Sequence, residues 1–306
     1  MLVIATSDKG GTGRSVTTCN VAYRRAVQGD DVCYLDFDFG SPTAGAIFGI
    51  ERMAHGTKGE DGLHRYLQGK TVTPSHVDIW SESRRPPGTG PRPTGAGNLV
   101  LYPGDLGGGE FTAKPEVIER CADLLLQLQS QFSVVFIDLS AGRSHAAEMI
   151  LTVTAREERI SDTRWLVFHR WTRQHISAAA DLVFEDRGLL EFGNLFGHDR
   201  DELRRRIRFV RTAVIDPKSD QGVLGLRAEQ EAWLRQVDKG LNEQANIAGL
   251  GRTSVIATVP VDPVLQWREQ LITDEDVYAE IANDGTVEAF TKLAANLDDP
   301  AAWSRI

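Results

Sequence analysis

Apolar residues along the chain fall into two kinds of run. Short unbroken stretches occur as LVIAT at 2–6, DVCYL at 31–35, FSVVFI at 132–137 and SVIATV at 254–259. They read as strands buried on both faces, because such a strand shows no polar side in its sequence. Weaker runs at 98–102, 164–168 and 209–215 give further strands. Between the runs, apolar positions recur every three or four residues. Val16, Cys19, Tyr23 and Ala26/Val27 share one face over 15–28. Val117, Cys121, Leu124/Leu125 and Leu128 do so over 114–131, and Leu226, Trp233/Leu234, Val237 and Leu241 over 226–241. This spacing predicts helices with one face inward, with further helices at 172–184 and 287–297. Gly29 follows the first helix as its stop. Strand, helix and strand within 38 residues form a βαβ unit whose two strands run parallel. The alternation persists along the chain. It predicts an α/β fold of Rossmann-like kind: a single doubly wound, mostly parallel sheet with helices on both faces, spanning 1–306 as one domain. Residues 80–98, WSESRRPPGTGPRPTGAGN, break the pattern. Their proline, glycine and arginine predict a flexible insert rather than a boundary, because the alternation resumes at once.

In such sheets ligands sit at the carboxyl ends of strands. The first strand ends in DKGGTGRSVTT, residues 8–18. Gly10, Gly11 and Gly13 let consecutive N–H groups face an anion, and the following helix adds its positive end. Ser15 is the first-turn hydroxyl suited to Mg2+. The ordinary pattern GxxxxGK[ST] fails at Asp8 and Arg14. The pattern KGGxGK[ST] fits better, with Lys9 as its diagnostic first residue and Arg14 in place of the second lysine. This loop resembles the deviant Walker-A signature of the ParA/MinD family of P-loop ATPases. Three further segments resemble the same family. TTCNVAYRRAVQGDDVCYLDFDFG is similar to its helix with an N-[LV]-A element and its strand ending D-x-D. FSVVFIDLSAG is similar to its Walker-B strand, and TSVIATVPVDPVL to its late strand ending x-I-P-x-D. The matches run in family order from residue 2 to about residue 297.

The resemblance implies a set of roles. Residues Gly10, Gly11, Thr12, Gly13, Arg14, Ser15 and Val16 would cradle the phosphates of ATP. Lys9 would reach across a nucleotide-sandwich homodimer to the partner's phosphates, stabilising charge on the leaving group. Ser15, Asp36 and Asp138 would hold Mg2+, Asp38 would position the attacking water, and Gly142 would sense the γ-phosphate. An unpaired carboxylate at Asp138, at the end of an apolar strand, would be costly, so a metal or hydrogen-bond role is its natural account. Pro260, Val261 and Asp262 would form the base-contacting loop. No NKxD-type guanine reader follows a strand, and ATP is the expected nucleotide. FVRTAVID, however, lacks the asparagine that meets adenine in the family. Arg14 keeps the charge of lysine but is planar and forked. Binding of Mg-ATP with weak hydrolysis is therefore expected, since a misplacement of about 1 Å can cost on the order of 100-fold in rate. The resemblance further implies an ATP-driven dimer that engages a protein partner. A scaffold with a degenerate site is the alternative, supported by Arg14 and the missing asparagine. A DNA-partitioning protein is another.

Composition narrows these readings. The formal charge of −9 repels nucleic acid at long range. DELRRRIRFVR carries Arg204, Arg205, Arg206, Arg208 and Arg211. It is compatible with a DNA-backbone patch, and equally with a helix face paired to Asp199, Asp201 and Glu202; the net charge favours the second. FHRWTRQH, with His169, Arg170, Trp171, Arg173 and His175, suits either partner docking or capping of the next helix. Arg84, Arg85 and Arg92 belong to the flexible insert. Cys19, Cys33 and Cys121 lack CxxC spacing and read as small buried side chains. Their unpaired state, the absence of an 18-residue apolar run and the opening MLVIAT point to a cytoplasmic protein. The acidic terminus NLDDPAAWSRI lacks the basic amphipathic tail of MinD-like proteins, so no direct membrane binding is expected. It also lacks the tyrosine cluster of the kinases that share this loop, and Lys9 argues against the related amidoligases.

Overall fold

The computed structural model describes residues 1–84, 92–219 and 225–304. Among the described residues eight strands form one sheet: β1 (Leu2–Thr6), β2 (Val32–Phe37), β3 (Val77–Asp78), β4 (Leu99–Tyr102), β5 (Val134–Leu139), β6 (Thr163–Arg170), β7 (Ile207–Val214) and β8 (Val255–Pro260). Their order is β3-β4-β2-β5-β1-β6-β7-β8. Every pairing is parallel except β3 with β4, which is antiparallel. β2 runs parallel to β1, but β5 lies between them. The doubly wound sheet expected from the alternation is present.

The central strands have no polar face, and the burial pattern explains why. Leu2 and Ile4 of β1, Cys33, Leu35 and Phe37 of β2, and Val135, Ile137 and Leu139 of β5 point into one core. Val3 and Ala5, Val32 and Tyr34, and Val134 and Phe136 point into the other. Alternate side chains thus serve opposite layers. The second layer contains α1 (Arg14–Val27), which packs beside the helix Asp284–Asn296. All three cysteines are buried and free.

Several expected boundaries shift by a few residues, and some elements are new. The helix at His145–Arg156 was not among those expected, and most of its residues are buried. Residues 85–91 of the insert at 80–98 lie outside the described residues, and the parts on either side make defined contacts. The insert begins in a short helix, Ile79–Glu82. At its far end Gly97 N–H donates to Ala26 O at 2.8 Å, and within the segment Arg92 Nε donates to Ala96 O at 2.8 Å. Arg84 is exposed, and its backbone N–H donates to Gly49 O; Arg85 lies outside the described residues. No helix among the described residues is long and apolar enough to cross a membrane.

The arginine-rich segment is divided by the fold. Arg204 and Arg205 are exposed on the helix Arg200–Arg205, and Arg206 pairs with Glu202. Arg208 and Arg211 lie on β7 and are buried. Arg208 donates to Ala302 O at 2.9 Å and to Trp303 O, holding the helix Pro300–Ser304. Arg211 stacks on Trp171, 4.0 Å from the ring centroid. The five arginines therefore do not share one surface.

Candidate functional site

The sheet's order reverses at β1, whose neighbours are β5 on one side and β6 on the other. A crevice opens at the carboxyl end of such a strand, and the glycine loop lies there. Gly11 and Gly13 adopt φ values of 69° and 72°. Residues with a Cβ rarely take this left-handed conformation, so glycine at these two positions sets the loop's curl. α1 follows at once, with no side-chain cap and no acid in its first turn. Its N-terminal N–H groups are left to meet an anion. Thr212 of β7 braces the loop, its hydroxyl donating to Thr12 O at 2.6 Å. Gly142 N–H donates to Ser7 O at 2.7 Å and ties the loop to the turn after β5.

Two adjoining cavities flank the loop. The larger, about 320 Å3, lies between Gly11, Gly13 and Thr17 on one side and Thr212, Ala213, Pro260 and the segment Leu265–Glu269 on the other. The smaller, about 160 Å3, runs from Ser7 and Gly10 past Arg14 and Ser15 to Asp38, Ser41 and Thr43. Asn20, buried in α1, fixes the outer wall of the larger one. Its Nδ2 donates to Gln270 O at 3.0 Å, and its Oδ1 accepts from Ile272 N–H at 2.7 Å.

The carboxylates meet where β2 and β5 end side by side. Asp36 and Asp138 are register partners. Asp138, 1% exposed, accepts from Arg14 Nε at 2.5 Å through one oxygen and from the Tyr34 hydroxyl at 2.9 Å through the other. Asp38 accepts from Arg14 Nη2 at 2.9 Å. The same guanidinium reaches Ser7 Oγ at 3.3 Å and Ser15 Oγ at 3.4 Å. Arg14 is 6% exposed. Burial works against its charge, but Asp138 and Asp38 outweigh burial and raise its pKa. Asp36 accepts backbone N–H groups from Ala44 at 3.0 Å and Asp38 at 3.4 Å. Burial, then the nearby Asp138, pushes the Asp36 carboxyl well above the usual range. Burial also raises Asp38, against the opposing pull of Arg14.

The residues singled out in the sequence are therefore distributed as follows. Gly10 to Val16, Asp36, Asp38 and Asp138 converge on one end of the sheet. Lys9 is exposed at the rim of the loop. Pro260 lines the larger cavity. Val261 N–H is bound to Val214 O at 3.0 Å. Asp262 lines the cavity but is 1% exposed, and its oxygens accept from Val264, Asn283 and Thr286. Its carboxylate is occupied within the fold. FHRWTRQH resolves toward helix capping: Thr172 caps Arg173–Phe184, and His169 and Trp171 are buried. Tyr34, Ser7 and Thr212 were not anticipated. Tyr34 lies two residues before Asp36, so strand alternation places it on the same face; nothing in the sequence marks its partner.

Ser15, Asp36 and Asp138 are the residues expected to hold Mg2+, and their environment does not suit the ion. Each oxygen of Asp138 already accepts from a side chain, Ser15 Oγ accepts from Arg14, and both oxygens of Asp36 accept backbone N–H groups. Among the described residues no group of three or more His, Cys, Asp or Glu side chains is arranged to hold a metal.

Comparison with known proteins bears on the fold. No family model matches the chain. It is 23% identical over 257 residues to a protein of Emiliania huxleyi named as a septum site-determining protein MinD, covering 81% of this chain and 83% of that one. Among solved structures it superposes on MinD of Aquifex aeolicus with a TM-score of 0.61 at 16% identity, covering 97% and 95% of the two chains. The Aquifex MinC:MinD complex gives 0.59 at 16% identity, covering 97% and 94%. A ParA family ATPase of Chlorobium tepidum gives 0.55 at 14%, covering 96% and 98%. MinD of Pyrococcus horikoshii, complexed with Mg-ADP, gives 0.51 at 15%, covering 98% of both. The chain has the MinD/ParA fold. Within that fold the glycine loop and the two acid-tipped strands lie at the crevice of the switch point.

Proposed function

We propose that the protein is an adenine-nucleotide-binding switch: ATP seats on the loop 10–16, the ATP form pairs with a second copy, and the pair engages a protein partner. The observation that carries this reading is the glycine loop, curled at Gly11 and Gly13 at an uncapped helix end, opening directly into a cavity against Pro260 and Leu265–Glu269. The loop suits phosphates, and the recess beside it, lined by Pro260, Leu265 and Trp267 together with polar Gln266 and Thr212, offers both a face and hydrogen-bond partners to a base. Lys9, exposed at the rim, is free to reach a second subunit's phosphates. Proteins with this fold supply the rest by analogy: one is complexed with Mg-ADP and another is a MinC:MinD complex.

Turnover is expected to be slow or absent. A carboxylate that positions water must present an oxygen to it, and Arg14 holds Oδ2 of Asp38, one of its two oxygens. That pairing favours a switch that cycles by binding and release over one driven by hydrolysis. Isothermal titration with ATPγS, with sizing of the protein in its presence and absence, tests the proposal. Saturable binding with a shift from monomer to dimer is expected. Failure to bind would leave only a scaffold that retains the fold without the ligand.

A further inference from the structure

Arginine at the first position of α1 does more than replace one positive charge with another. A guanidinium carries five N–H donors in a fixed plane and can bridge groups that a lysine ammonium, a single point, cannot. Here all three nitrogens of the fork are engaged. Nε meets Asp138, Nη2 meets Asp38 and Ser15, and Nη1 meets Ser7. These are the carboxylates and the hydroxyl a divalent cation would draw on at this end of the sheet. Magnesium binds oxygen at about 2.1 Å and demands near-octahedral freedom around itself. Bound to Asp138, it would compete with a guanidinium nitrogen lying 2.5 Å from the same carboxylate. The backbone N–H groups of the loop, by contrast, are not engaged by Arg14. Gly10 and Gly11 are exposed and open.

We infer that Arg14 takes the place of the divalent cation: its guanidinium is the fixed charge that neutralises Asp38 and Asp138, and nucleotide binds the loop without Mg2+. This rests on the nucleotide reading above, and the experiment separates the two. ATP is titrated into the wild-type protein in EDTA and in excess Mg2+, and likewise into Arg14→Lys. The wild-type dissociation constants are expected to agree within about twofold, while in Arg14→Lys Mg2+ tightens binding by about tenfold or more. Tightening of that size in the wild type overturns the inference. Binding of Mn2+ to nucleotide-free protein, followed by electron paramagnetic resonance, supplies a readout that needs no nucleotide. Wild type is expected to leave Mn2+ free, and Arg14→Ala, checked for folding by circular dichroism, to take it up. Equal uptake by both, or uptake by neither, overturns the inference. If ATP binds under no condition, the nucleotide reading falls, and the Mn2+ comparison still decides what Arg14 replaces. Arg14→Met serves in that comparison if the alanine variant does not fold.

Discussion

Asp138 depends on two donors from different elements: Arg14 at the head of α1 and Tyr34 in the middle of β2. Tyr34 is fully buried, and its hydroxyl also meets Thr18 Oγ1 at 2.8 Å. Burial, reinforced by Asp138, raises the phenol's pKa, so it stays a donor. Tyr34→Phe removes that donor and leaves a buried carboxylate oxygen short of a partner, at a cost of about 1–3 kcal/mol. Chemical denaturation checks this, and loss of less than about 0.5 kcal/mol would mean the bond contributes nothing net. Removing the carboxylate is worse. Asp138→Asn breaks a buried ion pair on one side and is expected to cost about 3–5 kcal/mol. His169 adds a pH term. Burial lowers its pKa from the ordinary 6.5 to about 4, because the ring is almost fully enclosed against Trp171 and Phe209. A group whose folded pKa is depressed supports the fold above its unfolded pKa and loses that support as pH falls through the window. Stability should therefore decline between about pH 6.5 and about pH 4, by on the order of 2–3 kcal/mol. Urea denaturation across that range should show the slope in wild type and a shallower one in His169→Phe.

Elements of this chain are joined at the crevice by a few buried polar anchors, and the cavity wall is the clearest case. Asn20 sits on α1, yet its amide holds residues 270–272, more than two hundred positions away. Arg24, one turn on, donates to Ile272 O at 2.8 Å and pairs with Asp274 at 2.5 Å. Asn20→Ala is expected to cost about 2–3 kcal/mol through the orphaned backbone groups and to weaken ATP binding by loosening Leu265–Glu269. A fall in stability with unchanged nucleotide affinity would show that this wall does not touch the ligand. The same helix shows what a sequence can and cannot disclose. Its inward face is periodic, the strands beside it are unbroken apolar runs, and the glycines announce the loop; each is a local property. The grip of Asn20 on 270–272 and the bridge from Arg14 to Asp38 and Asp138 depend on which strands become neighbours. Local pattern does not encode that. The two-residue β3 was too short to register.

For the whole molecule, the question is where positive charge can gather. A net charge of −9 opposes a polyanion at a distance, so DNA binding needs a concentrated patch. The sequence offers one in residues 204–211, but the sheet consumes it. A parallel strand buried on both faces turns even its arginines inward, where Arg208 ties down the helix Pro300–Ser304 and Arg211 lies on Trp171. Arg206 is paired with Glu202, and Arg204 leans on the Phe184 ring at 5.7 Å. What remains outside is too little to release many counterions, and each phosphate contact adds close to one unit to the salt slope. Fluorescence anisotropy with duplex DNA at low salt is therefore expected to show no saturable binding. Affinity that falls steeply with salt and disappears in the Arg204→Ala/Arg205→Ala variant would restore the DNA reading, because those two side chains are exposed and can be removed without disturbing the sheet.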